Sequence, residues 1–238
     1  MDKDTLSTTT LLQHQILIAD LLPNSESHLD SMEMKQHPIQ DSSIPFRDLT
    51  SAETKRKSIG QLIDKLDVEK SIRYQRTPED TYCNVYAYDF CHFSKVYLPT
   101  VWWTEESLEK IKQGQEVTAV FEETVDRIYS SAIHDWFPKW GNYFGWERIT
   151  DLNELQNKVN TNGGVGIICA KRKIKGLSGH IVPVVPETNF HKAYRENGKV
   201  IYPLQSQAGL LNYNYFSDVR KDWWNDELYS SHVFYYHE

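Results

Sequence analysis

Cys83-Asn84-Val85-Tyr86-Ala87-Tyr88-Asp89-Phe90-Cys91-His92-Phe93 runs without a glycine or proline, and reads as a helix whose first turn contains Cys83. Thr77-Pro78-Glu79-Asp80 punctuates the chain just before it. The residue ahead of a proline is pushed out of the helical region, and Asp and Thr favour turns and caps. Upstream, Ile59, Leu62, Ile63 and Leu66 recur at three- and four-residue spacing between Ser51 and Asp67, one face of an amphipathic helix. Downstream, Thr104 with Glu105 and Glu106, then Lys110, Lys112 and Gly114, has the start and stop signals of a short helix. A further helix is expected over about residues 125–140, giving way at Gly141-Asn142. Asp151 and Glu154 have the spacing of an N-capping box, opening a helix that ends at Asn162-Gly163-Gly164.

After this point the period changes. Val165–Ala170, His180–Val185 and Val200–Gln207 are short apolar runs that read as strands, and Val233-Phe234-Tyr235-Tyr236 as a closing strand. Helices first and an antiparallel sheet after them is the signature of an α+β domain. Residues 1–75 read as an N-terminal helical extension and linker, with a short helix around Leu11–Leu22, and residues 76–238 as the main domain. No internal repeat is visible.

Composition narrows the classes. The 238 residues include 14 Tyr, 9 Phe and 7 Trp, a load that excludes wholesale disorder. No run of about 18 apolar residues exists, so membrane insertion is not expected. Net charge is −7 without a dense basic block, so a nucleic-acid partner is not expected either. Cys83, Cys91 and Cys169 lack Cys-x-x-Cys spacing, which speaks against a disulfide framework or structural zinc and fits synthesis in a reducing cytosol. The stretch Leu11–Ile18 is broken by polar residues and follows acidic ones, so no signal peptide is expected. No metal spacing or cofactor motif is present.

A thiol in the first turn of a helix feels the positive end of the macrodipole and unpaired N–H groups, which favour thiolate. That makes Cys83 the candidate nucleophile, against the plainer reading of cysteine as a small buried hydrophobe. Cys91 and Cys169 fit the plainer reading. Among nine histidines, His180 alone starts a strand after a glycine-containing turn, Gly176-Leu177-Ser178-Gly179, where its side chain can reach a helix terminus. Period-two alternation puts His180, Val182 and Val184 on one face, and Ile181, Val185 and Glu187 on the other, so Glu187 is a poor orienter of the imidazole. A hairpin near Glu196-Asn197-Gly198 would bring Gln205 or Gln207 opposite His180. Pro183 and Pro203 demand an edge or a bulge. Gly163-Gly164-Val165-Gly166 follows a helix and precedes a strand, the reverse of a phosphate cradle, and reads as a helix stop. Glu122, Glu123 and Asp126 are the only hint of a glycosidase carboxylate pair, and read more simply as a solvated face.

Tyr82-Cys83-Asn84-Val85-Tyr86-Ala87-Tyr88-Asp89 resembles the Tyr-Cys-Asn helix start of small papain-like peptidoglycan hydrolases related to NlpC-type and CHAP amidases, found among phage lysins and secreted antibacterial effectors. Leu98-Pro99-Thr100-Val101-Trp102-Trp103, Gly179-His180-Ile181 and Gln205-Ser206-Gln207-Ala208-Gly209 with Asn212 continue the likeness in the same order, over roughly residues 79–238. The resemblance implies a papain-like α+β fold, with the Cys83 helix packed on an antiparallel sheet. It implies a cysteine amidase that cuts the stem peptide or cross-link of peptidoglycan, with Cys83 as nucleophile, His180 as base and Gln207 as the orienting residue, Gln205 or Glu187 being alternatives. Trp102, Trp103, Asn84, Asn212 and Tyr213 would meet substrate. Such an enzyme works without a cofactor, and would be delivered to a cell wall by lysis or a secretion-system component and restrained by an inhibitor or immunity protein. The competing reading is a non-enzymatic wall- or protein-binding module in which Trp102, Trp103, Tyr213 and Tyr215 form the recognition surface and Cys83 only packs.

Overall fold

The computed structural model describes residues 18–21, 34–219 and 222–238. Most of the helix expected around Leu11–Leu22 lies outside the described residues, and Ile18–Leu21 have no regular structure. Five α-helices are described: α1 (Ala52–Leu66), α2 (Cys83–Phe93), α3 (Glu105–Lys112), α4 (Ser130–Trp140) and α5 (Leu152–Asn162). The strands are β1 (Val101–Trp103), β2 (Val125–Arg127), β3 (Glu147–Ile149), β4 (Val165–Arg172), β5 (His180–Val184), β6 (Tyr194–Glu196), β7 (Lys199–Tyr202), β8 (Gln205–Gln207), β9 (Tyr213–Phe216) and β10 (Tyr229–His237). The fold is α+β, built on an antiparallel sheet of order β3-β10-β4-β5-β8-β9.

The helices start where their caps stand. Ser51 makes a reciprocal capping box with Thr54 at α1, Thr104 caps α3 through Ser107 N–H, and Asp151 Oδ1 accepts from Asn153 and Glu154 N–H at α5. Gly163 ends α5 at φ 69°, the left-handed conformation that an L side chain resists.

The sheet has two buried faces. On one, Ile167, Cys169, Ile181 and Val185 join Ile59, Leu62 and Leu66 of α1, Val85, Tyr86 and Phe90 of α2, and Ile133 and Phe137 of α4. On the other, Ile168, Val182 and Val184 meet Leu155 and Val159 of α5 with Trp223 and Trp224. Ile44 and Tyr74 belong to the first cluster, so part of the sequence upstream of residue 76 packs into the same core as the nucleophile helix. Arg47, almost fully buried, donates to Gly163 O and Glu238 O, and Asp89, fully buried, pairs with Arg73 and accepts from Tyr74 Oη.

Three expectations change. Residues 125–127 are a strand rather than the start of a helix, because Val125 pairs with Trp103 in the small β1–β2 sheet and α4 begins only at Ser130. The run 200–207 is two strands. Pro203 separates β7, which forms a hairpin with β6 around Asn197 and Gly198 at positive φ, from β8 in the main sheet. The closing strand is longer than expected and central, between β3 and β4.

Pro183 is accommodated by a gap. Val185 N–H points at β8, donating to Leu204 O, so the missing N–H of Pro183, two residues earlier, lies on the same side. There β5 and β8 pair only at Val184 and Gln205, and the ladder stays open toward His180.

Candidate active site

Cys83 opens α2 and is 1 % exposed. Its Sγ lies 3.3 Å from the Ser130 hydroxyl at the start of α4, and it also receives the imidazole of His180 and the backbone N–H of Ile181. Ile181 N–H sits two residues before Pro183, on the side where the β5–β8 ladder is open. The proline that breaks the ladder thus leaves a backbone donor for the sulfur. Gly179 brings β5 close to β4 just before His180: a Cβ there would fall 1.9 Å from Ala170 O.

The tautomer of His180 follows from a chain of hydrogen bonds. Gln207 Nε2 donates to Leu211 O at 3.0 Å, which turns Gln207 Oε1 toward His180 Nε2 at 2.9 Å. Oε1 only accepts, so Nε2 carries the proton, and in the neutral ring Nδ1 is the bare nitrogen. Trp223 meets the imidazole edge-on, with centroids 4.5 Å apart, and its Nε1 donates to Gln205 Oε1.

Burial pushes the Cys83 thiol up. The charge and hydrogen bond of His180, the Ser130 hydroxyl and Ile181 N–H outweigh it, and bring the thiol down to about 7. Burial drives both Cys91 and Cys169 far above the usual thiol range, the charge of Arg47 offsetting only part of it at Cys91. The arrangement can therefore hold a nucleophilic thiolate beside an imidazolium of fixed orientation, or a thiol beside the neutral ring that takes its proton.

Of the expected site residues, the structure brings Cys83, His180 and Gln207 together. Gln205 is fully buried and held by Trp223. Glu187, in the loop after β5, is bound to Arg195 and Asn160, so neither alternative orients His180. Trp102 and Trp103 are core side chains and offer no substrate surface: Trp102 packs on Trp136, Trp140 and Phe144. Asn84 is 2 % exposed and donates to Ile128 O, tying α2 to the segment that delivers Ser130. Asn212 clasps Val68 O and Tyr74 O while accepting Gly209 N–H, and half-buried Tyr213 packs on Phe216. These two hold the loop behind Gln207. Glu122 and Glu123 lie exposed on the turn into β2, and Asp126 is exposed on that strand, so the three carboxylates line no cleft.

Ser130 and Trp223 were not legible. Ser130 is separated from Cys83 by 47 residues and by a helix–strand boundary that the apolar pattern hides. Trp223 is one of several aromatic residues near the C-terminus with nothing local to distinguish it. No protein-family model, curated protein or solved structure matches the chain.

Proposed function

We propose that the protein is a papain-like cysteine amidase that cuts an amide bond in the stem peptide or cross-link of peptidoglycan. The observation that carries this reading is the oriented chain from Leu211 O through Gln207 and His180 to Cys83, which matches a nucleophile, a base and a residue that fixes the base. The order of the short motifs supplies the substrate class.

In the mechanism, His180 Nδ1 takes the proton of Cys83, and Sγ attacks the amide carbonyl carbon. The negative oxygen is met by first-turn N–H groups of α2, which no side-chain cap occupies. His180 returns its proton to the leaving nitrogen as the C–N bond breaks, leaving a thioester. Water, deprotonated by the same imidazole, attacks the thioester, and Cys83 departs as the thiol. Gln207, being neutral, holds the ring in register without charge stabilisation of the imidazolium.

Purified wild type, Cys83→Ala and His180→Ala incubated with sacculi provide the test, with released fragments identified by mass. Wild type is expected to release stem-peptide fragments and both variants none. Release of a new reducing-end sugar would assign a glycosidase, and equal release by Cys83→Ala would sink the mechanism. Folded wild type that binds sacculi without release would assign a binding module. Toxicity is expected when the chain is exported to a bacterial periplasm and absent when it is kept in the cytosol. A cell that carries it alongside its own wall is expected to need an inhibitor protein.

A further inference from the structure

One groove lies outside the thiol site and has a lining of its own. It runs between α1 and the loop 187–192, has a volume of about 660 Å³, and falls within the range of small-ligand sites. Its α1 wall is a stripe of exposed polar side chains at helical spacing, Glu53, Lys57, Gln61 and Asp64, opposite the face of the same helix that enters the core. Its other wall is aromatic. Phe190 is 91 % exposed, and His191 stacks on Tyr215 with centroids 4.3 Å apart and planes 8° apart.

A lone exposed Phe is ordinary on a protein surface. This one is held out by its loop: Thr188 Oγ1 accepts from both Phe190 N–H and His191 N–H, and Thr188 N–H donates to His191 O. The ring is presented on a pinned turn beside the stacked pair His191–Tyr215, across from carboxylates, an amide and an ammonium. Flat rings offer faces to the C–H groups of a sugar, and the polar stripe offers donors and acceptors for its hydroxyl and acetamido groups. Charged and amide side chains of α1 lie opposite the rings, so the groove pairs ring faces with hydrogen-bonding groups rather than presenting one contiguous apolar patch.

We propose that this groove binds a carbohydrate, the glycan strand that carries the stem peptides, a proposal that rests on the hydrolase reading above. The groove then anchors the polymer while the thiol site, elsewhere on the same domain, takes the peptide.

Saturation-transfer NMR of the full chain with the N-acetylglucosamine tetramer tests it. Transfer to the sugar is expected. Phe190→Ala and Gln61→Ala are each expected to weaken binding roughly five- to tenfold, the size of one lost stacking or hydrogen-bonding contact. Leu228→Ala, an exposed apolar side chain elsewhere, should leave binding unchanged. No transfer to the sugar overturns the proposal, and so does binding that both groove variants retain. Retention on sacculi that disappears once they are stripped of attached protein assigns the groove to a protein and overturns it too. Because the readout is binding, a chain that binds the tetramer but releases no stem fragments sinks the hydrolase reading and leaves the carbohydrate assignment standing.

Discussion

The first turns of α1, α3 and α5 are closed by side-chain oxygens from Ser51, Thr104 and Asp151, whereas those of α2 and α4, which follow Tyr82 and Tyr129, accept no side-chain cap. A Ser, Thr or Asp cap contributes about 1 kcal/mol to a helix. At two of the five described helices the protein forgoes that stabilisation, and both of those ends converge on one sulfur. No side-chain cap competes for the first-turn N–H groups there, and in the proposed reaction those of α2 would meet the negative charge. The capped ends lie away from Cys83, and the two uncapped ones meet at it.

Removing the charge altogether has the largest expected effect. Cys83→Ala should lower amide cleavage by roughly a thousandfold or more, with near-UV circular dichroism unchanged. Activity that survives would break the comparison, since the open helix ends would then serve no thiolate. Gln207→Ala comes next: with His180 no longer held in one tautomer, kcat/KM should fall roughly ten- to a hundredfold, and Gln207→Glu should recover much of it. Full activity in Gln207→Ala would remove Gln207 from the site.

Ser130→Ala sharpens the role of α4. Thiolate is the reactive form and builds as pH rises through the thiol's value of about 7, so iodoacetamide alkylation of Cys83 should be half-maximal near that pH. Loss of the Ser130 hydroxyl removes one donor to the thiolate. The midpoint should then move up toward the ordinary thiol range, with alkylation near pH 6 slowed a few-fold. An unmoved midpoint would mean that α4 contributes packing alone. Smallest is Asp151→Ala at the capped end of α5, expected to cost about 1 kcal/mol in urea unfolding and to leave the alkylation midpoint where it was.

Local signals in the sequence carried far. Thr104 and Asp151 announced α3 and α5, because a cap and its helix are neighbours in the chain, and the spacing of Ile59, Leu62, Ile63 and Leu66 announced α1. Cys83 was legible for the same reason, lying at the start of a run without helix breakers. What failed was non-local. Val125 pairs with Trp103, and β-strand pairing leaves no mark in a single segment. Trp102 and Trp103 stand soon after the nucleophile helix in sequence, yet both are buried, Trp102 in an aromatic cluster with α4. Gln207 rather than Gln205 meets His180 because Trp223, far along the chain, holds Gln205.

The place of β10 sets an order of assembly. It follows every other described strand in the chain yet lies between β3 and β4, while Arg47 closes on the carbonyl of Glu238 beyond it. A ribosome therefore delivers Cys83, His180 and Gln207 before the strand that completes the sheet beneath them. Until residues 229–237 emerge, β4 has one unpaired edge, and pairing at such sequence distance is slow to form. From the emergence of His180 until that of β10, the nascent chain carries its thiol and imidazole on an unfinished scaffold.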